Sequence, residues 1–528
     1  MKWLFSAHKA TQRFLNSQRY HLHVGSRHRF FHASNPIGWS KPDQMWASCL
    51  YSTHYYSTST ILNATESSHR LSNSIKIEND VKKVDLEIIS REIIKPSSPT
   101  PHHLKTFKLS MIDQLMLDVY TPLTLFLPNT DKASVTDVVT KRSKHLKETL
   151  SEILTRFYPV AGKVKDNFRV ECNDEGVYYT EARVNQTLED FLGHPDDERV
   201  RGLLPEKPFT EESSIGNYVM GIQVNIFKCG GIGISTNVSH KIFDAHTYYV
   251  FMKAWAAAVR GSPETVTPTF VASEIFPNNP CLENSLSSKL LATKTLSTKR
   301  FVFDSTSLAL LKAQPVASTS STHQRPPSRV EATTAMIWKA AAQATSKVRP
   351  FGRQSPHALL SMVNLRKRAS PPLPIESIGN LVDVTGAICF PGDHLELPTL
   401  MGEIRESIEK INTDRIESMK GEKGHEKVIE SLMRLNHLMD MTVEGDCIFA
   451  TSLLNSGMYE LDFGWGKPIW FYVMNARLVR RVALNETLKG GGVEAIVTLS
   501  PDEMEIFERD SKLLAYATVN PSPLQFVH

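Results

Sequence analysis

Cysteine is sparse in this chain, and its spacing excludes a disulfide framework. Six cysteines occur among 528 residues, and no two of them form a CxxC pair; they are Cys49, Cys172, Cys229, Cys281, Cys389 and Cys447. Disulfide-rich scaffolds and structural zinc sites need clustered cysteines. The pattern is typical of a reducing compartment, so we predict a cytoplasmic location and no bound metal.

Long apolar runs are also missing, and charge of one sign does not dominate. No stretch approaches the roughly 18 residues that span a bilayer as a helix, so we predict no membrane segment. The first 65 residues hold seven basic residues and one acidic residue, which gives them a net charge of +6 and the remainder −2. Because the body of the chain is near neutral, we predict no nucleic-acid partner and a monomeric state.

Acidic residues are rare in the N-terminal leader, residues 1–80, which is rich in Arg, Ser and His. It also lacks the apolar core of a secretory signal. Its composition resembles that of an organellar transit peptide, and Arg29–Ser34 is similar to a mitochondrial processing site. Such short patterns recur by chance, so the alternative is a flexible leader, or one wrongly included in front of the true start of the protein. Mitochondrial or plastid targeting stays open, and we set the leader aside from the fold.

Hydrophobic periodicity predicts a folded chain from residue 84 onward. Alternation predicts strands over residues 84–89 and 219–236, and helical spacing of apolar residues predicts helices over 138–156, 244–260 and 330–344. Ser500 followed by Pro501 and by Glu503 is typical of a capped helix start. Stretches of little periodicity, at 262–298 and 318–328, are predicted to be linkers.

The segment Ser239–Ala245 contains His240 and Asp244 in an H-x-x-x-D spacing, at the junction of a predicted strand and a predicted helix. An imidazole with a pKa near neutrality is the usual general base for an alcohol that attacks a carbonyl carbon. Two fixed positions in five are weak evidence, so a structural histidine is the alternative. Asp244 would serve as a helix N-cap in either case.

The segment Asp462-Phe463-Gly464-Trp465-Gly466 places two glycines around a tryptophan. Glycine permits a positive φ or a close backbone approach, and the indole can then fill a fixed space. Alone, this pattern predicts a tight structural loop. Together with the H-x-x-x-D segment about 220 residues earlier, it forms a pair of motifs that recurs by chance far less often than either motif alone.

With these two motifs the chain resembles the BAHD family of plant acyl-CoA-dependent acyltransferases, which carries HxxxD midway and DFGWG near its C-terminus. The resemblance covers residues 84–525 and includes further stretches at 157–162, 223–231, 329–339, 377–381 and 520–523. Residues 96–115 are similar to the clade that acetylates alkaloid and terpenoid alcohols.

The resemblance implies an α/β (α+β) fold of two domains, related to chloramphenicol acetyltransferase, with mixed sheets and helices and an active-site channel between the domains. We expect an N-terminal domain at 84–265 with HxxxD, a crossover at 266–298 and a C-terminal domain at 299–528 with DFGWG. Acyl-CoA, most simply acetyl-CoA, is the implied co-substrate, with no bound cofactor. A small-molecule alcohol is the implied acceptor.

The resemblance also implies roles for individual residues. His240 would remove the hydroxyl proton, and Asp244 would hold the histidine loop through a salt bridge, for which Arg329 is the expected partner. Asp462 is a candidate second proton acceptor, or a structural carboxylate that pairs with Arg366 or Arg368.

Thr451 and Ser452 correspond to a segment that lines the family's pocket, where a hydroxyl can donate to an oxyanion. The family often has tryptophan next, whereas this chain has Leu453. The altered wall would admit a bulkier acceptor.

Four other functions are alternatives. A metal-dependent hydrolase would use His240, Asp244 and His246 as ligands, but no HExxH motif supports it. A Ser-His-Asp hydrolase would need a nucleophile elbow, and GxSxG is absent. An N-acyltransferase, or a non-catalytic CoA-binding relative of the same fold, also remains an alternative.

Overall fold

The computed structural model describes residues 84–206, 213–262, 266–280, 282, 295–314, 325–349, 356–390, 395–442, 446–476 and 479–526. The expectations for the leader and for most of the 318–328 linker lie outside these residues. Residues 78–528 form one compact unit, to which all elements below belong.

Sixteen strands lie within the described residues. They are β1 (Leu86–Ile94), β2 (Thr106–Lys108), β3 (Tyr120–Leu127), β4 (Lys163–Val164), β5 (Arg169–Glu171), β6 (Val177–Val184), β7 (Met220–Phe227), β8 (Ile232–Ser239), β9 (Ser297–Phe303), β10 (His357–Asn364), β11 (Val382–Cys389), β12 (Cys447–Ser452), β13 (Trp470–Val473), β14 (Arg481–Glu486), β15 (Val493–Leu499) and β16 (Thr518–Val519).

These strands form three sheets. The first has six strands in the order β1-β6-β7-β8-β3-β13, and the second has seven in the order β11-β10-β12-β14-β15-β9-β16. A small third sheet has the order β2-β5-β4. Most pairs are antiparallel, but β6–β7, β10–β12 and β12–β14 are parallel, so the large sheets are mixed.

Helices cover both large sheets. The α-helices are α1 (Met111–Leu115), α2 (Val135–Asp137), α3 (Ser143–Arg156), α4 (Leu188–Gly193), α5 (Asp197–Arg201), α6 (Ala245–Val259), α7 (Ala272–Ile275), α8 (Ser305–Lys312), α9 (Arg329–Val348), α10 (Leu397–Glu409), α11 (Thr413–Met419), α12 (Gly424–Asp440), α13 (Pro501–Phe507) and α14 (Ser511–Leu514). A π-helical turn, Val138–Arg142, leads into α3, and short 3₁₀ segments lie at 102–104, 158–161, 458–460 and 523–526.

The elements predicted from periodicity are confirmed, with shifted boundaries. The face of α3 that was expected to be apolar is buried, and Ser500 and Glu503 form the expected capping box at the start of α13. Helix α9 runs to Val348, four residues past its predicted end, because no glycine or proline interrupts the sequence before Pro350. The predicted crossover contains the short helix α7.

The first sheet is not built from the N-terminal half alone. Strand β13 pairs antiparallel with β3 at its edge, with Trp470 opposite Phe126 and Val473 opposite Leu123. Both strands are buried along almost their whole length. The division into domains at 265 and 299 stays a prediction, and β13 crosses it.

The core is apolar and extends through both large sheets. In the described residues, the largest cluster joins α3 and α6 to strands β3, β6, β7 and β8, and a second cluster joins α9 and α10 to the seven-stranded sheet. Trp255 and Trp338 are fully buried in these two clusters. No helix in the described part of the chain is long and apolar enough to cross a membrane.

Candidate active site

His240 lies directly after β8 and four residues before the N-cap of α6. Its backbone N–H donates to the carbonyl of Val119 at 3.0 Å, and the Asn380 side chain donates to the His240 carbonyl at 2.8 Å. The main chain of His240 is therefore held from both sides, by a segment before β3 and by a segment before β11. These two hydrogen bonds fix the backbone position from which the His240 side chain extends.

The His240 imidazole lines a cavity and is neutral near pH 7. Burial lowers its pKa below the usual 6.5, although its own backbone carbonyl and the Asp244 charge oppose this effect. Nδ1 is buried and has no hydrogen-bond partner among the described residues. A neutral imidazole is the protonation state that can accept a proton.

Asp244 holds the histidine loop through Arg366, not through Arg329 as predicted. Its Oδ2 accepts from Arg366 Nη1 at 2.7 Å, and both side chains are buried. Arg329 instead donates to Asn455 and Glu486. Arg329 was predicted only because it lies in a stretch that resembles the family. In the fold, the loop after β10, which carries Arg366, packs against the start of α6.

The same carboxylate accepts from two backbone N–H groups. Asp244 Oδ1 accepts from the N–H of Thr247 at 2.7 Å, so it caps α6, and Oδ2 accepts from the N–H of Leu381 at 3.1 Å. Burial would raise the pKa of Asp244, but Arg366 and these N–H groups hold it below its usual value. Asp244 is therefore a charged positioning residue.

A second buried carboxylate, Asp113, reaches His240 through Asn380. Its Oδ1 accepts from the backbone N–H and the side-chain Nδ2 of Asn380 at 2.6 and 2.8 Å, and its Oδ2 accepts from Ser110. Burial raises the pKa of Asp113 to about 6. The chain Asp113–Asn380–His240 thus connects α1, the segment before β11 and the histidine loop.

Lys241, the residue after His240, ties the histidine loop to the end of α1. Its buried Nζ donates to the carbonyls of Gln114 and Met116, at 3.1 and 2.7 Å, and to Asn167 at 2.7 Å. Burial lowers the pKa of Lys241 to about 8. All three of its hydrogens are bound, and Lys241 is not among the residues that line the cavity beside His240.

The cavity beside His240 has a volume of about 230 Å³ and is mostly apolar. Thr451, Ser452 and Leu453 line it, as predicted for the pocket wall. Its apolar lining includes Met116, Leu117, Leu360, Val384, Phe449 and Met474. Such a surface fits a hydrophobic substrate, with a few polar groups left to orient it.

The DFGWG loop, residues 462–466, lies outside the cavity beside His240. Gly464 and Gly466 have φ values of 87° and 148°. Residues with a side chain rarely adopt such values, as the glycine pattern predicted. The Trp465 ring is nearly buried and lies 5.1 Å from the Arg142 guanidinium carbon, a cation–π contact. The carbonyl of Trp465 accepts from Thr130, which ties the loop to the end of β3.

Asp462 belongs to this loop and not to the histidine cavity. It accepts from the N–H of Gly464 at 2.8 Å and lies 3.6 Å from Arg260, at the end of α6. The expected partners were wrong: Arg366 is bound to Asp244, and Arg368 donates to the carbonyls of a helix end. Asp462 lines a separate, more polar cavity together with Arg260 and Lys253.

Comparison with known proteins identifies this arrangement. The Transferase family model matches residues 84–514, which is most of the chain. The chain belongs to the BAHD acyltransferase family. As a BAHD enzyme it transfers acyl groups.

Relatives of this BAHD enzyme include named transferases of plants. It is 36% identical to epi-neemfruitin B 7-O-acetyltransferase of Melia azedarach, over 83% of this chain and 99% of the relative. It is 34% identical to 17,18-epoxy-17-hydroxycur-19-ene N-malonyltransferase of Strychnos nux-vomica, over 82% and 91%. The crystal structure of vinorine synthase superimposes with a TM-score of 0.69 at 33% identity, over 82% and 98%. The predicted fold class is thereby confirmed.

The alternative metal site is not formed in the BAHD enzyme. Asp244 is occupied by Arg366, and the His246 ring bonds to the carbonyl of Ile375 at 2.7 Å. In the part of the chain that the structure describes, no group of three His, Cys, Asp or Glu side chains is arranged to hold a metal.

Sequence reasoning missed four residues around the BAHD site. Asp113 shows a signal, because Ser110 and Asp113 have capping-box spacing. Asn380 lies in a stretch that matched the family but received no role. Lys241 and Arg481 carry no sequence signal, because burial of a basic side chain is visible only in the fold.

Proposed function

We propose that this enzyme transfers an acetyl group from acetyl-CoA to a hydroxyl of an apolar, polycyclic specialised metabolite, with His240 as the general base. The observation that carries the proposal is the neutral, half-buried imidazole facing an apolar cavity. The cavity suits an alkaloid or terpenoid alcohol better than a sugar or a nucleotide, because most of its lining offers no hydrogen bonds.

The chemistry follows from these positions. The His240 imidazole takes the proton of the substrate hydroxyl as the oxygen attacks the thioester carbonyl carbon. The resulting oxyanion collapses and the C–S bond breaks. The imidazolium then gives its proton to the departing thiolate, so CoA leaves as the thiol and His240 is neutral again. General-base assistance of this kind contributes about 10²- to 10⁴-fold to the rate.

Thr451 and Ser452 supply hydroxyl donors on the same cavity wall. We assign one of them to the developing oxyanion, where a fixed donor stabilises the transition state more than the ground state. Asp462 lies outside the cavity lining and beside Arg260, so we assign it a structural role. We place the enzyme in the cytoplasm as a monomer, with the scattered single cysteines and near-neutral charge as support.

N-acylation is the second candidate, and a relative with that activity favours it: the Strychnos protein carries the name of an N-malonyltransferase. The same base and cavity would serve an amine nucleophile. The two activities differ in the acceptor group, a hydroxyl or an amine, and not in the catalytic residues.

The test is CoA release by the full chain from acetyl-CoA, with pooled alkaloid and triterpenoid alcohols in one arm and matched amines in another. The variant His240→Ala runs alongside, and far-UV circular dichroism verifies its fold. We expect release that requires both an alcohol and His240. Release that persists in His240→Ala would refute the mechanism, and release with amines alone would replace O-acylation by N-acylation.

A further inference from the structure

The charged groups that line the histidine cavity are unevenly paired. Asp244 is bound to Arg366, and Asp383 is bound to Arg415 at 3.0 Å. Arg481 also lines the cavity, yet no described carboxylate lies within ion-pair distance of it. The cavity wall therefore carries a cationic group whose charge is not neutralised by a contacting acid.

Arg481 is held in place by backbone groups alone. It is the first residue of β14 and lies opposite Phe449 of the parallel strand β12. Its Nη2 donates to the carbonyls of Val473 and Met474, at 3.3 and 2.9 Å. Its Nε is buried and has no partner among the described residues. The guanidinium is thus positioned without being saturated.

The nearest acid that acts on Arg481 is already engaged. Asp197 influences Arg481 electrostatically, but its carboxylate is bound to Arg201 and to the hydroxyl of Tyr472, each at 3.1 Å. Burial lowers the pKa of Arg481 to about 10, so the side chain is still charged at neutral pH.

Arg481 is half-buried. A guanidinium that is largely removed from water and lacks an acidic partner is costly, and a ligand that supplies the opposite charge offsets that cost. Both Nη2 hydrogens of Arg481 are used by backbone carbonyls, so Nη1 is the group that can donate to a ligand, and a charged acceptor such as a carboxylate makes that hydrogen bond strong. We propose that Arg481 binds a carboxylate group carried by one of the two substrates. This inference rests on the proposed function, because it assigns the cavity to the substrates of acyl transfer; a carboxylate on the acyl group would replace acetyl-CoA as the preferred donor.

The same contact would act on the base. The positive charge of Arg481 lowers the pKa of His240, and a bound carboxylate would cancel that charge. A substrate with a carboxylate would therefore make His240 a stronger base at the moment of binding. Arg481 is in this way both a specificity residue and a group that tunes the base.

Two sources of the carboxylate are chemically equivalent at Arg481: a dicarboxylic acyl group on CoA, or an acid group on the acceptor alcohol. Binding to the full chain separates them without any turnover. In one arm, calorimetry compares malonyl-CoA with acetyl-CoA. In the other, equilibrium dialysis compares oleanolic acid, a triterpenoid with one hydroxyl and one carboxylate, with its methyl ester.

We expect the carboxylate form to bind roughly 10- to 100-fold more tightly than its neutral counterpart in one of the two arms. Arg481→Gln should remove that preference, and Arg481→Lys should restore part of it. Arg509→Gln is the matched control for the loss of one positive charge, because Arg509 pairs with Glu505 on the exposed surface. It should leave the preference unchanged.

A preference in the donor arm assigns the carboxylate to the acyl group, and one in the acceptor arm assigns it to the alcohol. Equal or absent binding of acid and neutral forms in both arms would overturn the proposal, as would a preference that survives in Arg481→Gln. Because no acyl transfer is measured, these outcomes are distinguishable from failure of the proposed function, which CoA release reports.

Discussion

The buried pair Asp244–Arg366 allows a sharp prediction about stability. The two side chains are 4% and 1% exposed, and the carboxylate also accepts from the N–H groups of Thr247 and Leu381. Replacing Asp244 by Asn leaves the guanidinium of Arg366 in the core without its counter-charge. Replacing Arg366 by Met leaves the carboxylate without its cation.

The size of the effect follows from the burial of both partners. Removing one partner of a buried ion pair costs about 3–5 kcal/mol, because the remaining charge stays desolvated. The double variant Asp244→Asn/Arg366→Met should lose less than the sum of the two single variants, since neither charge is then left alone. The difference measures the coupling of the pair.

Urea-induced unfolding, followed by tryptophan fluorescence, gives the free energy of unfolding of each variant. Lys427→Met is the matched control, because the Lys427–Glu430 pair is 49% exposed on both sides and should contribute at most about 1 kcal/mol. Losses in Asp244→Asn and Arg366→Met no larger than in Lys427→Met would refute the reasoning, as would additive losses in the double variant.

Acidification tests the same pair, because protonation removes the charge of Asp244 as the Asn substitution does. The pKa of Asp244 is lower in the folded chain than its ordinary value of 3.8, so its stabilisation is complete above pH 3.8 and is lost as the pH falls through the folded pKa. The stability of the wild type should therefore fall more steeply below pH 3.8 than that of Asp244→Asn.

Four further predictions concern activity. Asp113→Asn should lower kcat about 10- to 100-fold with little change in the KM for acyl-CoA, because an amide cannot accept from Asn380 and Ser110 at the same time, so the anchor of Asn380 is weakened and His240 shifts; steady-state kinetics measures both, and a change in KM alone would contradict it. The acid limb of kcat/KM should lie below pH 6.5, and Arg481→Gln should move it upward, since the lost positive charge had lowered the pKa of His240; a profile unchanged in the variant would count against this. Asp462→Asn should retain kcat within about threefold, since its ion pair is at the surface; loss of all turnover in a folded variant would restore its catalytic assignment. Leu453→Trp should lower kcat/KM for a polycyclic alcohol about tenfold more than for benzyl alcohol; equal losses would mean that the wall does not set acceptor size.

The parts of the fold that could be predicted from the sequence are those that local patterns determine. The apolar spacing of Leu146, Leu150 and Ile153 marked the buried face of α3, and Ser500 marked the start of α13. Both signals act within a few residues, so no knowledge of the fold was needed. The junction that presents His240 between a strand and a helix was predictable for the same reason.

Partners distant in sequence were not predictable. Arg366 lies 122 residues from Asp244, and nothing in its local sequence distinguishes it from Arg329. Strand β13 joins the first sheet from the other half of the chain, because its antiparallel register with β3 is set by packing and not by an adjacent turn. Arg481 was invisible for a further reason: its environment is made by strands and loops that meet only in the folded protein.

The position of the base depends on both halves of the chain. On one side, Asp113 and Lys241 anchor the histidine loop to α1 and its end. On the other, the segment before β11 contributes Asn380, whose side chain holds the carbonyl of His240, and Leu381, whose N–H is bound by Asp244. Because these contacts form only when the two large sheets are assembled, an unassembled or loosened chain has no oriented base. The buried charges therefore link the free energy of folding directly to catalytic competence, which is why a stabilising residue such as Asp244 accompanies His240 in the same short motif.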